Sequence, residues 1–205
     1  MPVRVALLVF DGCDLLDVGG PYEVLLTANR LRQRDGDPAP FEVLTVAPDD
    51  APVRAYGGLG LTAQLPVDQL GAIDLAVVPG LIDVAAGTGD AALLTGVRRL
   101  VTDAEVVASV CTGAFLLAEA GALVDLPATT HHEDRDALRA RDDVGEVVDG
   151  RRWVDTGAVV TGAGLSSGLD VGLHLVDRFA GRALAEATAR QIEHAWDPEG
   201  RHTAE

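Results

Sequence analysis

The chain has 205 residues, a formal net charge of −16 and a composition that is 48% hydrophobic. That length suffices for one compact domain with a substantial core. Asp and Glu outnumber Lys and Arg 32 to 16, which leaves no basic footprint for nucleic acid and disfavours an anionic membrane surface.

The first residues, MPVRVALLVFDG, carry one Arg and a short apolar run that ends in Asp-Gly. They lack the long apolar core and small-residue cleavage site of a secretory signal, so a cytoplasmic location is expected. No stretch approaches the roughly 18 uncharged apolar residues of a membrane span. Cys13 and Cys111 could form at most a single disulfide, and in a reducing compartment both are expected as free thiols.

Residues 3–10 are a continuous apolar and β-branched run, the pattern of a strand buried on both faces. Pro21 is expected near the start of the next helix, which runs to about residue 31. Residues 32–40 read as a loop, residues 41–47 as a second strand, and residues 53–63, divided by Gly57-Gly58, as a hairpin. Residues 74–79, DLAVVP, form a third buried strand stopped by Pro79-Gly80. Residues 90–102 place Leu93, Leu94, Val97, Leu100 and Val101 along one helix face. A fourth buried strand over 105–111 passes at once into a helix over 112–120, with Thr112 as a plausible cap and Gly121 as its stop. A polar helix is predicted over 132–141, and two strands, 145–149 and 153–161, around the turn Asp149-Gly150. Helices over 165–179 and about 183–195 complete the pattern. Buried strands alternating with helices imply a single α/β domain over residues 1–205, with a mostly parallel central sheet covered by helices on both faces.

In such a sheet, reactive groups collect at the carboxyl ends of strands. Cys111 lies at one of these ends, inside Ser109-Val110-Cys111-Thr112-Gly113. The pattern parallels G-x-S-x-G, a tight strand-to-helix turn that needs small residues two before and two after its nucleophile because those positions crowd together. Ser109 and Gly113 meet that need. The turn would aim the first amides of the helix, that of Thr112 included, at negative charge on a thiolate or a substrate. The alternative is a small buried core residue, a common fate of free cysteine. Cys13, among Asp11, Asp14 and Asp17, has neighbours that oppose a thiolate, and it reads as structural.

The segments LLDVGGPYEVL (15–25), VVPG (77–80), SVCTGAFLLAEAGAL (109–123), ATTHH (128–132) and VVTGAGLSSGLDVGLHLV (159–176) resemble, in order and spacing, the ThiJ/PfpI superfamily. Within it the chain is most similar to the isonitrile hydratase-like branch, which also supplies the ligand-binding-like domain of some AraC-type regulators. The resemblance covers nearly the whole chain. It implies a three-layer, flavodoxin-like sandwich of the class I glutamine amidotransferase type, a homodimer, and a cofactor-free site for a small-molecule substrate.

It also implies Cys111 as nucleophile and Asp17 as its acidic partner. An ionised carboxylate would raise the thiol pKa by repulsion, whereas a protonated one would donate to the thiolate. Leu15, Leu16 and Val18 flank Asp17, so desolvation favours the protonated form, which suits a general acid or base. A helix-capping role for Asp17 remains open at this point. Thr112 stands where protease-like members carry histidine, which argues against a Cys-His peptidase and fits the hydratase-like branch; its hydroxyl can contact substrate or cap the helix. Gly113, Gly80 and Leu81 are expected at the substrate, with the amides of residues 80–81 on its anionic side.

Leu81 is a departure, because relatives commonly carry a second glycine there. Leucine keeps the amide but disfavours positive φ, and its side chain can fill the pocket. His131 matches a family histidine and is expected near the pocket, without a role as catalytic base. His131-His132-Glu133-Asp134 does not make a metal site, since adjacent residues rarely converge on one ion. Gly162-Ala163-Gly164-Leu165-Ser166-Ser167-Gly168 imitates a dinucleotide loop with the wrong spacing, and its glycines are expected to allow close packing.

Three functional readings follow. The first is a hydro-lyase that converts an isonitrile to an N-substituted formamide. The second is other thiol chemistry, glyoxalase-like or amidase-like. The third is a non-enzymatic ligand-sensing or stress-response module. Since residue 205 is reached without a helix-turn-helix pattern, the sequence is not expected to be a complete AraC-type regulator. A thiol titrating near its ordinary value of about 8.5 would weaken both enzyme readings.

Overall fold

A computed structural model describes residues 1–202. Seven strands make one sheet in the order β5-β2-β1-β6-β7-β9-β8. They are β1 (Val3–Leu8), β2 (Phe41–Ala47), β5 (Leu65–Pro66), β6 (Leu75–Val78), β7 (Val106–Ser109), β8 (Trp153–Asp155) and β9 (Val159–Gly162). All pairings are parallel except β8 with β9. Two short strands, β3 (Val53–Arg54) and β4 (Gly60–Leu61), form the separate hairpin expected around Gly57-Gly58. The central strands are apolar throughout because helices cover both sides: every residue of β6 and β7 is buried.

Helices α1 (Leu15–Arg34), α6 (Ser167–Ala180) and α7 (Arg182–Gln191) pack together on one side. On the other lie α2 (Val84–Gly89), α3 (Ala91–Asp103) and α4 (Gly113–Glu119). The expected three-layer α/β sandwich is therefore the observed one. A five-residue helix, α5 (Arg135–Arg139), is a shortened form of the predicted polar helix.

Three local expectations change. Helix α1 begins at Leu15, with Asp14 as the cap accepting from the Leu16 amide at 3.2 Å, so Pro21 lies inside the helix and Asp17 is not the cap. Pro21 packs where α6 is bare: a Cβ on Gly168 would come within 3.1 Å of the proline Cδ. Residues 145–149 make only one isolated bridge, of Val147 with Ala128, rather than a strand; the neighbouring Val144 bridges Val124. The run 153–161 divides into the antiparallel pair β8 and β9, turned at Gly157.

The order of strands has a consequence for chemistry. From β1 the chain moves outward to β2, then returns to place β6 on the other side of β1. Ligands in open α/β sheets bind at such reversals, beyond the carboxyl ends of the strands. The segments leaving β1, β6 and β7 carry Asp17, Gly80 and Cys111.

Candidate active site

Cys111 has φ of 57°, in the left-handed region that costs a non-glycine residue about 1–3 kcal/mol. Its own backbone holds it there. The Cys111 amide donates to the Ala163 carbonyl at 2.9 Å, and the buried Thr130 hydroxyl donates to the Cys111 carbonyl at 2.9 Å. The small flanking residues serve as expected. A Cβ at Gly113 would lie 2.5 Å from the Val78 carbonyl oxygen, and Ser109 is fully buried beneath the turn. The side chain that results is buried, 6% exposed, at the mouth of the β6–β7 crevice.

Gly80 is the point where the site converges. A Cβ there would meet Asp17 Oδ2 at 2.6 Å, Thr112 Oγ1 at 2.7 Å and Cys111 Cβ at 2.9 Å. No side chain larger than hydrogen fits among the three. Asp17 is fully buried, and its Oδ2 accepts the Gly80 amide at 3.0 Å. Its Oδ1 is buried with no hydrogen-bond partner among the described residues.

Burial pushes the Asp17 carboxyl up to about 7, with a smaller push from Asp14, against the pull of the Gly80 amide and the Cys111 thiol. Burial likewise pushes the Cys111 thiol up, and the Asp17 charge pushes it further, to about 12. The amides of Leu165 and Thr112 act in the opposite sense. The pair thus resists losing both protons. A thiolate forms where the neighbouring carboxyl keeps its proton, so activation of the sulfur amounts to an exchange of one proton within the pair.

The amides of residues 80–81, expected to face an anion, are already taken. That of Gly80 goes to Asp17, and that of Leu81 to Thr112 Oγ1 at 2.8 Å. Thr112 does not cap α4 with its side chain. Its hydroxyl instead donates to the Leu81 carbonyl at 2.6 Å, clamping the connection after β6 by two bonds. Besides this clamp, the Thr112 hydroxyl also acts to lower the Cys111 thiol pKa, less than the two backbone amides do. One of them, Leu165, was not foreseen: a backbone donor leaves no mark in residue type, and its loop read as a packing segment. The packing is real, since a Cβ at Gly162 would sit 2.7 Å from Val171 Cγ2, but the same loop supplies the amide.

Leu81 itself takes no positive φ and is 6% exposed. It lines a cleft of about 390 Å³ with Phe10, Tyr56, Ile82 and Leu93. A smaller cavity, about 280 Å³, includes Leu16, His131, Ala163 and Leu165 in its wall. Although smaller, it is the one that adjoins the chemistry, since Ala163 and Leu165 both contact Cys111 through their backbones. His131 covers Gly164, where a Cβ would collide with the imidazole, and its Nδ1 lies 3.4 Å from an Asp134 carboxylate oxygen. It lies in the wall of this cavity. No group of three His, Cys, Asp or Glu side chains among the described residues is disposed to hold a metal ion.

The chain is 30% identical over 198 residues to the isonitrile hydratase of Pseudomonas putida, covering 97% of this chain and 81% of that protein. It is 25% identical over 197 residues to the HTH-type transcriptional regulator GbdR of Pseudomonas aeruginosa, covering 93% of this chain and 50% of the regulator. Its fold superposes on a THiJ/PfpI family protein from Pseudomonas syringae with a TM-score of 0.83, at 26% identity over 97% of this chain and 77% of the other. The model of the DJ-1/PfpI family matches residues 3–178, a span that holds Asp17, Gly80, Cys111 and Thr112, and the chain belongs to that family.

Proposed function

We propose that this protein is a cofactor-free, cysteine-dependent enzyme, a single DJ-1/PfpI unit that adds water to an isonitrile and releases an N-substituted formamide. The observation that carries this reading is the convergence of Asp17, Cys111 and Thr112 around Gly80, at the carboxyl ends of three adjacent strands. The isonitrile hydratase relative supports the substrate class.

In the proposed cycle the pair first exchanges its proton. The Cys111 sulfur bonds to the terminal isonitrile carbon, and the Asp17 carboxyl delivers its proton to that carbon, leaving a thioimidate. Asp17, now a carboxylate, takes a proton from water as the oxygen adds to the same carbon, and that proton passes to nitrogen. Collapse of the tetrahedral adduct breaks the C–S bond and forms the formamide. The hydroxyl proton of the adduct returns to the pair, so one water is consumed and nothing is oxidised or reduced. The Leu165 and Thr112 amides steady the departing sulfur. Burial suits this chemistry because a dry, low-dielectric setting strengthens each of these contacts.

The same thiol could serve other electrophilic carbon–nitrogen or carbonyl substrates, glyoxalase-like or amidase-like. A sensing role is favoured by one observation, the match to GbdR, of whose length this chain spans about half. Association with a second copy is supported by exposed Leu15, Leu16, Tyr56, Leu59 and Ile82. The Tyr56 amide donates to the Cys13 carbonyl, which brings the β3–β4 hairpin to the start of α1 and groups these side chains.

The test is incubation of the protein and its Cys111→Ala variant with a small alkyl isonitrile, following formamide by mass spectrometry. Formamide formed only by the wild type supports the hydratase. Equal formation by both would sink the mechanism, and none by either would move the weight to another substrate or to sensing.

A further inference from the structure

We propose that the cavity beside Cys111 binds a carboxylate, and that the substrate is a small anion carrying that group a short reach from its electrophilic carbon. This rests on reading Cys111 as the reacting group. The chain carries a net charge of −16, yet no Asp or Glu lines this cavity. Its polar wall comes from His131, His132, Arg135, Arg152, Ser166 and His202, side chains that offer N–H or O–H donors.

The acids of the neighbourhood stand behind these donors rather than among them. Asp149 holds Arg135 by Nη1 at 3.2 Å, and Asp134 lies against His131 at 3.4 Å. Asp170, 4% exposed, accepts Arg152 Nε at 2.9 Å and Nη2 at 2.7 Å, and a further contact comes from His194 at 3.0 Å. Arg152 Nη2 also reaches the Ser166 hydroxyl at 2.9 Å. This partly buried network fixes the Arg152 guanidinium before any ligand arrives, which spares the ordering cost of binding.

Arg135 supplies the second observation. Its Nε is buried and has no hydrogen-bond partner among the described residues, although one edge of the same guanidinium is paired with Asp149. A buried donor without an acceptor is uncommon, and this one belongs to a side chain whose other atoms line the cavity. A planar carboxylate matches the guanidinium fork in shape and charge. The volume of about 280 Å³ limits the occupant to a small molecule. Ala163 and Leu165, in the same wall, carry the backbone contacts to Cys111, so an anion held in this cavity lies next to the turn that carries the sulfur.

The experiment is a calorimetric titration of the full chain with butyrate, butyramide and inorganic phosphate, together with iodoacetamide labelling of Cys111 in their presence. The expected result is binding of butyrate about tenfold tighter than butyramide, weakened at least about fivefold in Arg135→Gln, with butyrate slowing the labelling of Cys111. Equal binding of butyrate and butyramide overturns the proposal. So does butyrate binding that Arg135→Gln leaves unchanged, or that fails to protect Cys111. Phosphate binding without butyrate binding overturns the carboxylate assignment. None of these readouts needs turnover. If isonitriles are not hydrated but Arg135-dependent butyrate binding holds, only the reaction falls; if neutral isonitriles are hydrated and butyrate does not bind, only this proposal falls.

Discussion

Cys13 and Cys111 are both free, both buried and both pushed toward the neutral thiol, chiefly by desolvation. Burial and charge alone would rank them together. Their backbones separate them. Cys13 sits in a β-bridge with Leu81, its amide donating to Phe10 and its carbonyl accepting Tyr56, and Asp14 and Asp17 both oppose its ionisation. Each sulfur has two backbone amides near it, but only Cys111 is held at positive φ and faces a carboxyl that interacts with the thiol directly. Under the proposed function, the nucleophilic thiol is the one set apart by the conformation of the turn around it, at a cost in backbone strain, and not by exposure.

The largest contrast is expected between the two thiols. Cys111→Ala should lower formamide formation by about a thousandfold or more, with thermal stability close to wild type. Cys13→Ala should leave turnover within a few-fold and lower stability by on the order of 1 kcal/mol. Turnover that follows Cys13 instead would reverse the comparison.

Asp17→Asn should cost about a hundredfold or more in turnover, the usual scale for a lost proton carrier. Its stability effect has the opposite sign. The folded chain keeps the Asp17 proton up to about pH 7, while the unfolded chain releases it in the ordinary carboxylate range. Between those values the unfolded state binds fewer protons, so the stability contribution of Asp17 falls as pH rises through the window. The asparagine variant should therefore be more stable than wild type above pH 7, by on the order of 2 kcal/mol, with the gain gone in acid below the ordinary carboxylate range. Denaturant melts across pH read this directly.

Gly80→Ala should cost about a hundredfold in turnover, because its Cβ would force apart Asp17, Thr112 and Cys111. Near-normal kinetics in that variant would break the geometric account. Thr112→Val, which removes both bonds to Leu81, should cost about 1–3 kcal/mol of stability and a smaller, roughly tenfold, loss of turnover.

The layers of the fold were legible because the central strands are buried on both faces and so read as uninterrupted apolar runs. The elbow was legible for a related reason: crowding around a tight turn dictates Ser109 and Gly113, and residue size is visible in a sequence. Other features leave weaker marks. The start of α1 was hidden because Gly19, Gly20 and Pro21 are poor helix formers, and tertiary packing against α6 overrides them. The roles of the Leu81 and Leu165 amides were hidden because every non-proline residue carries the same donor. Asp17 could be read as acidic and desolvated, but that its Oδ2 would consume the Gly80 amide depended on the register between β1 and β6. Arg135 and Arg152 are separated in sequence and carry no motif, and only the fold brings them to one wall, with Asp170 paired to Arg152.

The central claim is that Asp17 and Cys111 share a proton. It is tested by titrating the ultraviolet absorbance of the Cys111 thiolate in a Cys13→Ala background, with and without Asp17→Asn. Removal of the carboxylate charge should bring the thiol down from its raised value, where the Asp17 charge now helps to hold it. A Cys111 titration that is unmoved or raised by Asp17→Asn would contradict the account and leave the two groups as independent neighbours.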